Sequence, residues 1–472
     1  MSETALAEKK VSGIVLELES ISSVTKKIKV TIPEQTIKDQ FQDTLASLRK
    51  EAVVPGFRRG RVPNRILEKK LGTGLNDDVK SRLLNAAFQE AVEQHSLKPL
   101  GDPEISPESL DVPKTGPMEF TIQIEVTPEF PLPDLASFEI KKPVLAASDE
   151  RFDMALNHLR RSLGAWAVTT DPAITDDRVQ ADVSISTEDG TSIVDQKGAI
   201  LVVAPGSMAG VRFEDLGEKL TGVKAGDEVT LEQIVPDTHL REELRGRKFI
   251  VKIHVNEVSR LNMPELTEEL ARENGFESLE DLHNSMRSAL SDRLASESAQ
   301  AMRDQLSRQL VETIQLELPP RLTDGQKNAI FKREAIRLIE SGMTTEAVTK
   351  HLPDMMGFSQ REAEVELQKL FIISRLAELF HVTITGNEVN AAITELAMTN
   401  GERPEVLRRE LQKSDKLEAM AMRMREHKVL DRALEQCKIT EVDEAAWKQF
   451  VTSQKETLAA NQNLADTGAN AT

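Results

Sequence analysis

The sequence predicts a multidomain α+β protein with an N-terminal α+β domain, a small antiparallel β domain and an all-α C-terminal domain. Two observations lead to this prediction. The chain has 472 residues, which is long for one hydrophobic core and corresponds to roughly three domains. The hydrophobic pattern also changes twice, to short strands near residue 172 and to helices from about residue 264.

Residues 1–127 form the predicted α+β domain. Residues 11–33 alternate in places, as in "TKKIKVTIP", and predict strands, while "MEFTIQIEVTPEF" alternates clearly before the domain ends. Two further segments, "VPNRILEKKLG" and "DDVKSRLLNAAFQEAVEQHSL", have helical patterns, the first with Pro63 near its start and Gly72 at its end. Another helix is predicted by a stripe of apolar residues: Ile37, Phe41, Leu45 and Leu48.

Residues 128–150 are rich in proline and predict an extended linker. The next domain, 151–258, opens with a helix in "DERFDMALNHLRRSL" and continues as short β-rich runs separated by turn signals, among them "DRVQADVSIS" and "RKFIVKIHVNEV". This pattern is typical of a small antiparallel β domain with at most one short helix after the opening one.

Residues 259–452 form the predicted helical domain, and the polar tail 453–472 is predicted to be disordered. One stripe predicts a helix of about 33 residues, roughly 50 Å long, which "LPPRLTD" then ends. The stripe consists of Leu282, Met286, Leu290, Leu294, Met302, Leu306, Leu310 and Ile314.

Composition excludes several classes of function. No stretch is long and apolar enough to span a bilayer, and the first residues lack a signal-peptide pattern, so we expect a cytoplasmic protein that binds no membrane. A single cysteine, Cys437, allows no internal disulfide. The eight histidines show no metal-ligand spacing, and no P-loop, GxGxxG or GxSxG motif is present. We therefore expect no metal, no nucleotide and no other cofactor.

A basic segment stands out in this acidic chain, whose formal net charge is -18. The segment "VPGFRRGRVPNRILEKKLG", residues 54–72, holds six cationic side chains and one acid, Glu68. Glycines and prolines at its start predict a turn that presents Phe57 with its neighbouring arginines. Arginine forks suit phosphates and carboxylates, and a flanking aromatic can bury itself against protein, so the segment could dock on RNA and protein. By composition alone, a basic run is more often a solvated face.

The motif "GFRRGRVP" resembles the signature loop of the bacterial trigger factor family, and the order of domains is similar over roughly residues 20–450. The resemblance implies a bacterial chaperone that docks on ribosomal protein and rRNA beside the exit tunnel and shields nascent and unfolded polypeptides. It implies no binding to DNA. It also implies that the linker 128–150 returns to a discontinuous helical C-terminal domain, and that the free protein can form a homodimer. The family's docking positions correspond to Gly56, Phe57, Arg58, Arg59, Gly60 and Pro63.

The β domain resembles the FKBP-type peptidyl-prolyl isomerase domain of that family. Such a pocket works by its shape, because an apolar, aromatic-walled site favours the twisted amide over the planar one. The resemblance implies a pocket at Asp182, Phe213 and Phe249. The other expected groups are replaced, since the family's positions are occupied by Val183, Ile193, Val194, Gly210, Arg212 and Thr238. The chain also lacks tyrosine, so we expect weak or absent isomerase activity and no intact catalytic residue.

The helical domain is predicted to hold unfolded clients through scattered apolar contacts, for which flexible methionine side chains are suited. Core packing explains methionines at helical spacing equally well. The methionines of this region are Met286, Met302, Met343, Met355, Met356, Met398, Met420, Met422 and Met424. Two alternatives to the chaperone stay open: an active prolyl isomerase acting on nascent or unfolded chains, and a free RNA-binding protein. The single basic patch in an acidic chain disfavours the second alternative.

Overall fold

The structure is a computed structural model of the chain. The residues that it describes are 13–51, 73–105, 112–113, 115–236, 239, 241–340, 349, 352–414, 416–454 and 456. No helix among these residues is long and apolar enough to cross a membrane.

The described helices and strands follow the predicted order along the chain, with mixed helices and strands first, then short strands and then helices. The strands are β1 Val15–Ser20, β2 Thr25–Ile32, β3 Glu104–Ile105, β4 Met118–Glu125, β5 Glu139–Pro143, β6 Ala165–Thr169, β7 Arg178–Thr187, β8 Ser192–Val202, β9 Gly206–Met208, β10 Val211–Phe213, β11 Glu228–Ile234, β12 Lys248–Asn262 and β13 Lys438–Val442. The α-helices with established bounds are α1 Glu34–Glu51, α2 Thr73–Gln94, α3 Asp149–Ser162, α4 Leu216–Leu220, α5 Glu268–Glu273, α6 Leu279–Thr313, α7 Pro320–Glu340, α8 Leu352–Leu379, α9 Gly386–Asn400, α10 Pro404–Lys413 and α11 Lys416–Leu434.

The chain divides into two compact units. The first contains Met1–Leu135, Ser307–Phe331 and Met356–Ala433; the second contains Ala136–Leu306, Lys332–Met355 and Leu434–Thr472. Mixed helices and antiparallel sheets with a helical C-terminal region confirm the predicted fold class. The long predicted helix is confirmed as α6, which has 35 residues.

In the first unit, an antiparallel sheet of order β1-β2-β4-β3 supports helices α1 and α2. Strands β2 and β4 alternate, so that one face is apolar and buried, while α2 contributes an apolar residue on every fourth position. The buried residues of the two strands are Ile28, Val30, Ile32, Met118, Phe120, Ile122 and Ile124, and those of α2 are Leu75, Val79, Leu83, Ala87 and Ala91.

Polar contacts join this α+β domain to helical residues of the same unit. The buried carboxylate of Glu125, at the end of β4, accepts hydrogen bonds from the backbone N–H groups of Arg321 (2.7 Å) and Leu322 (3.2 Å). These groups belong to the first turn of α7, which has no intrahelical acceptors for them and carries the positive end of the helix dipole. The Ser23 hydroxyl also donates to Glu317 at 2.6 Å.

Helices of the first unit are ended by specific groups. The side-chain amide of Gln368 donates to the backbone carbonyls of Val311 (2.9 Å) and Ile314 (2.5 Å), where α6 ends. Helix α9 begins with a capping box between Thr385 and Glu388 and ends at a left-handed glycine, Gly401.

The second unit contains the β domain, whose boundaries lie at 165 and 262, somewhat wider than the β-rich runs in the sequence. Its antiparallel sheet has the order β11-β12-β7-β8, and β6 pairs with the far end of β12. Inward side chains of these strands form one apolar core with α4 and the hairpin β9–β10. Helix α3 precedes this domain, and the Arg160 side chain donates to the Pro264 carbonyl at 3.1 Å, close to where the chain leaves it.

One strand pair in the second unit lies between the predicted linker 128–150 and the C-terminal region, although the sequence predicts no strand in residues 128–150 or 438–442. Strand β5 pairs in parallel with β13. The opposite edge of β5 is satisfied by α6: the buried Gln305 amide accepts from Lys141 N–H (3.1 Å) and donates to Lys141 C=O (2.7 Å). Ser298 donates its hydroxyl proton to the Pro143 carbonyl at 2.8 Å.

The last helical residues also differ from the prediction. Residues 444–454 and 456 are helical, so the structure extends slightly beyond the predicted boundary at 452. The predicted disordered tail otherwise lies outside the described residues. Trp447 and Phe450 of this segment pack ring against ring, and the Lys141 ammonium lies 4.1 Å from the Phe450 ring centroid.

Replacing Gln305 with leucine is predicted to loosen β5. Leucine leaves the N–H and C=O of Lys141 without their partner, which costs about 2 kcal/mol when such groups are buried. Hydrogen–deuterium exchange of the peptide 138–144 should become faster, and the thermal midpoint should fall. Gln300→Leu is the matched control, since the hydrogen bonds of exposed Gln300 are to Asp304 and Arg303 of the same helix, α6. Equal exchange in the two variants would show that Gln305 does not hold this strand.

Replacing Glu125 with glutamine is predicted to weaken the start of α7. Glutamine retains one acceptor oxygen but loses the negative charge that the helix N-terminus favours, a change of about 1 kcal/mol. Exchange of the backbone amides at 321–322 should accelerate. The exposed neighbour Glu129 provides the control Glu129→Gln, and an identical exchange profile in both variants would contradict the capping role.

Candidate functional site

The predicted docking residues lie outside the described part of the structure. Gly56, Phe57, Arg58, Arg59, Gly60 and Pro63 all belong to the segment 52–72. What the structure does establish is the support on either side of that segment. It follows directly on α1 and precedes α2, two helices that share the apolar core of the first α+β domain.

The two aromatic residues predicted for the isomerase pocket are fully buried. Phe213 ends β10 and Phe249 lies near the start of β12, and both side chains are 0% exposed within the β-domain core. Their strands place them there, because β10 and β12 direct alternate residues inward. Both phenylalanines therefore act as core residues, and neither forms an accessible aromatic wall.

Asp182 is held by backbone and side-chain donors. Its Oδ1 accepts from Gly198 N–H (2.8 Å) on β8 and from the Asn256 side-chain amide (2.9 Å) on β12. The hydrogen bond from Gly198, followed by that from Asn256, lowers the pKa of the Asp182 carboxyl. The register shifts on both sides of β7 occur at these places, between Ala181 and Val183 and between Val255 and Glu257. Asp182 thus stabilises two β-bulges.

The residues that the sequence predicts at the family's pocket positions are mostly apolar and packed. Val183 is buried in the core, and Ile193 and Val194 are partly buried against it. Gly210 has a positive φ in the β9–β10 turn, and the Arg212 guanidinium faces solvent, bonded to Glu214 at 2.6 Å. The sixth replacement, Thr238, lies outside the described residues. No ionisable side chain among the described five points into the core.

The sequence analysis missed a buried polar residue beside this core, His239. The Arg241 N–H donates to Nδ1 of His239 at 3.1 Å, so in the neutral ring the proton is on Nε2, which donates to the Ala209 carbonyl at 3.0 Å. Nδ1 also lies 3.3 Å from the Arg241 carbonyl, a longer contact that the unprotonated nitrogen cannot use. The ring meets Phe249 edge to face at a centroid distance of 6.4 Å.

His239 therefore positions the turn between β9 and β10. A Cβ added to Gly210 would come within 3.0 Å of His239 Nε2, so the turn and the ring are fitted closely together. A lone histidine in a loop gives no sequence signal for this role, because the contacts come from residues about 30 positions earlier.

The methionines predicted for client contacts are divided between core and surface. Met355 is buried, while Met286, Met302, Met420 and Met424 are half-buried. Met343 lies outside the described residues. The exposed members of the set are Met356, Met398 and Met422, the last two with 75% and 66% of their surface accessible.

Neither metal chemistry nor thiol chemistry has a site among the described residues. They contain no group of three or more histidine, cysteine or carboxylate side chains able to hold a metal ion. Burial raises the pKa of the Cys437 thiol to about 11, so this group is not an activated nucleophile.

Comparisons with known proteins point to one family. The family described as "Bacterial trigger factor protein (TF)" matches residues 15–159, and "Bacterial trigger factor protein (TF) C-terminus" matches residues 278–435. The first match contains the basic segment and the second contains most of the C-terminal helices. Together they cover more than half of the chain.

Similar full-length proteins agree with these matches. The trigger factor of Rhodopirellula baltica is 28% identical and aligns over 90% of this chain and 89% of its own length. That of Thioalkalivibrio sulfidiphilus is 27% identical over 90% of this chain and 95% of its own. A solved structure titled "Promiscuous Substrate Recognition in Folding and Assembly Activities of the Trigger Factor Chaperone" aligns with 20% identity and a TM-score of 0.44, covering 89% and 99% of the two chains. On the two family matches and these relatives, the chain belongs to the bacterial trigger factor family.

Proposed function

We propose that this protein is an ATP-independent chaperone of the bacterial cytoplasm that docks beside the ribosomal exit tunnel and shields nascent chains. The observation that carries the proposal is the segment 54–72, which concentrates six cationic side chains in a chain of net charge -18 and lies within the family match 15–159. Such a segment is attracted to polyanionic rRNA, whereas the remainder of the acidic chain is repelled by it.

In the proposed docking, Phe57 buries its ring against a ribosomal protein, while Arg58 and Arg59 contact phosphates or carboxylates. Gly56, Gly60 and Pro63 shape the turn that presents them. The support for this arrangement is the rigid base that α1 and α2 provide, since both helices are packed on the four-stranded sheet. A docking tip on such a base loses less conformational freedom on binding.

Client binding is proposed for exposed apolar side chains on the helices. The first unit exposes Met398, Met422, Leu396 and Val406 on α9, α10 and α11, near a small core formed by the same helices. A charged residue lies beside them on each helix: Glu395 before Leu396, Glu405 before Val406 and Arg423 after Met422. Dispersed apolar contacts of this kind favour weak binding of many sequences and keep the chaperone soluble.

We further propose that the β domain retains an isomerase-like fold without significant isomerase activity. Three observations support this. Phe213 and Phe249 are buried in the core, Asp182 is occupied by its bonds to Gly198 and Asn256, and the chain has no tyrosine to donate to a substrate carbonyl. An active peptidyl-prolyl isomerase is the alternative function that the assay below separates from the chaperone.

Ribosome binding is expected to depend on the basic segment. Wild-type protein should pellet with ribosomes, whereas Phe57→Ala/Arg58→Ala/Arg59→Ala should stay in the supernatant, because the loss of the phosphate contacts should reduce the affinity by about tenfold or more. The binding that remains should also depend less on salt, since each phosphate contact contributes to the salt dependence. Co-sedimentation at low and moderate salt measures both effects. The control is Arg423→Ala/Arg425→Ala, which removes two exposed arginines from α11.

Two results would contradict the docking proposal. One is equal sedimentation of the wild type and the triple variant; the other is an equal loss of binding in the Arg423/Arg425 control, which would indicate general attraction to RNA. The first outcome would leave the basic segment as a solvated turn.

The isomerase proposal is tested with a protease-coupled proline tetrapeptide assay. The protein should leave the uncatalysed cis-to-trans rate unchanged, since no accessible aromatic wall can favour the twisted amide. An active FKBP-type isomerase in the same buffer serves as the positive control. Acceleration that is lost in Phe249→Leu, with the protein still folded, would establish the active enzyme instead.

A further inference from the structure

The outer face of the β-domain sheet is apolar at one end. Val168 on β6 and Ile200 and Val202 on β8 are exposed by 66%, 66% and 44%. The solvent side of an antiparallel sheet is normally polar, and the opposite end of this sheet is more polar, with Lys252 and Glu228 exposed alongside Ile234. The apolar end therefore calls for an explanation beyond folding.

Strand register brings these side chains onto one face. Val168 pairs with Ser259 on β12, Ser259 pairs with Arg178 on β7, and Arg178 pairs with Val202 on β8. The four residues form a single cross-strand row. Ile200 lies on the same face two residues before Val202, because side chains in a strand repeat with a period of two.

Strand β8 is at the edge of the sheet, and part of that edge is unguarded. Val203 donates its N–H to Asp177, which precedes β7, and the register is regular from 199 to 202. Since successive residues alternate, the backbone N–H and C=O of Ile200 point away from β7. The first half of β8 carries Asp195, Lys197 and a register shift, all of which hinder pairing. At the end of the strand the Val202 carbonyl accepts from the Ala204 N–H at 2.8 Å, whereas Ile200 carries no such protection.

One cation lies on this face. The Arg178 guanidinium stacks over the Trp166 ring at 3.9 Å from its centroid. Within the described part of the chain it forms no ion pair with a carboxylate. Stacking fixes the guanidinium beside Val202 while its N–H donors remain available to an acidic group.

We propose that the free edge of β8 and the adjoining apolar row bind an extended segment of unfolded polypeptide, which adds to the sheet as a further strand. The favoured segment has apolar side chains at alternate positions and a carboxylate that reaches Arg178. Backbone hydrogen bonds to Ile200 supply affinity for any sequence, while the apolar row and Arg178 select among sequences. The proposal rests on the chaperone function and assigns to the β domain a holding role that needs no isomerase pocket.

The test uses the full-length protein and a fluorescein-labelled decapeptide in which valine alternates with threonine and one central valine, on the face shared with Arg178, is replaced by glutamate. Fluorescence anisotropy measures its binding. Ile200→Lys introduces a guarding charge at the edge and should weaken binding by about tenfold. Ile234→Lys is the matched control, because Ile234 has 64% exposure on β11, at the other edge of the same sheet. It should bind the peptide as the wild type does.

Two further variants separate the backbone and charge contributions. Ile200→Pro removes only an N–H that faces away from the sheet, so the fold should persist while the peptide loses its strand partner. Arg178→Glu should weaken binding of the glutamate peptide and strengthen binding of the same peptide with lysine in place of glutamate. Circular dichroism and thermal unfolding verify that each variant is folded.

Unchanged binding in Ile200→Lys and Ile200→Pro, or equal weakening in Ile234→Lys, overturns the proposal. A wild-type protein that self-associates in sedimentation velocity and becomes monomeric in Ile200→Lys, without peptide binding, also overturns it, since the edge would then pair two copies of this chain. Suppression of client aggregation by the wild type is measured separately. If that suppression is present while the edge variants bind peptide normally, the chaperone function stands and the β8 site fails.

Discussion

The parallel pairing of β5 with β13 is the interaction on which the second unit depends. Lys142 and Glu441, 299 positions apart, form an ion pair across it at 2.8 Å. Two strands alone are marginally stable in water. Here α6 completes the pair from the other side, since Gln305 offers an amide with the same donor and acceptor as a backbone residue and Ser298 satisfies Pro143. The strand β5 thus has partners on both edges.

Because β5 is bonded on both edges, the β domain can be an insertion within the second unit. The chain leaves β5 through α3 and returns after β12, and the first and last strands of the domain, β6 and β12, pair with each other. Arg160 and Pro264 are hydrogen-bonded at the same exit. A domain whose two ends are adjacent can be accommodated between existing elements without disturbing their core. Its own core can then change while the surrounding unit stays intact.

In the first unit, the domain that carries the basic segment is joined to helices by charge-assisted contacts. Glu125 caps α7, and Lys98 pairs with Glu378 at 2.9 Å. The Lys98 hydrogen bond is the main cause that lowers the pKa of the Glu378 carboxyl. Of the two contacts, the buried cap is the one that resists salt, because exposed ion pairs are screened and contribute little. A domain proposed to bind ribosomes is thereby held to α7 and α8, in the same unit as the helices proposed to bind clients.

The sequence by itself determined the order of domains, most helices and the strands with strict alternation, because local periodicity encodes which face is buried. It also identified the family through the segment "GFRRGRVP". That the family's pocket positions are replaced, at Val183, Ile193 and Val194 among others, stays a prediction from the sequence. These features can be recognised from residues that are close together in the sequence. A period of two or of about four survives in the sequence whatever the rest of the chain does.

Only the tertiary structure decided the features that depend on distant partners. Residues 438–442 became a strand because β5 offers them a strand edge to pair with, although they follow a long helical region. Asp182 stabilises two β-bulges, and His239 positions the β9–β10 turn. Gln305 bonds the edge of β5 as a neighbouring strand would. Each role arises from hydrogen bonds between residues remote in sequence. Such bonds form only once the chain has brought donor and acceptor within about 3 Å of each other.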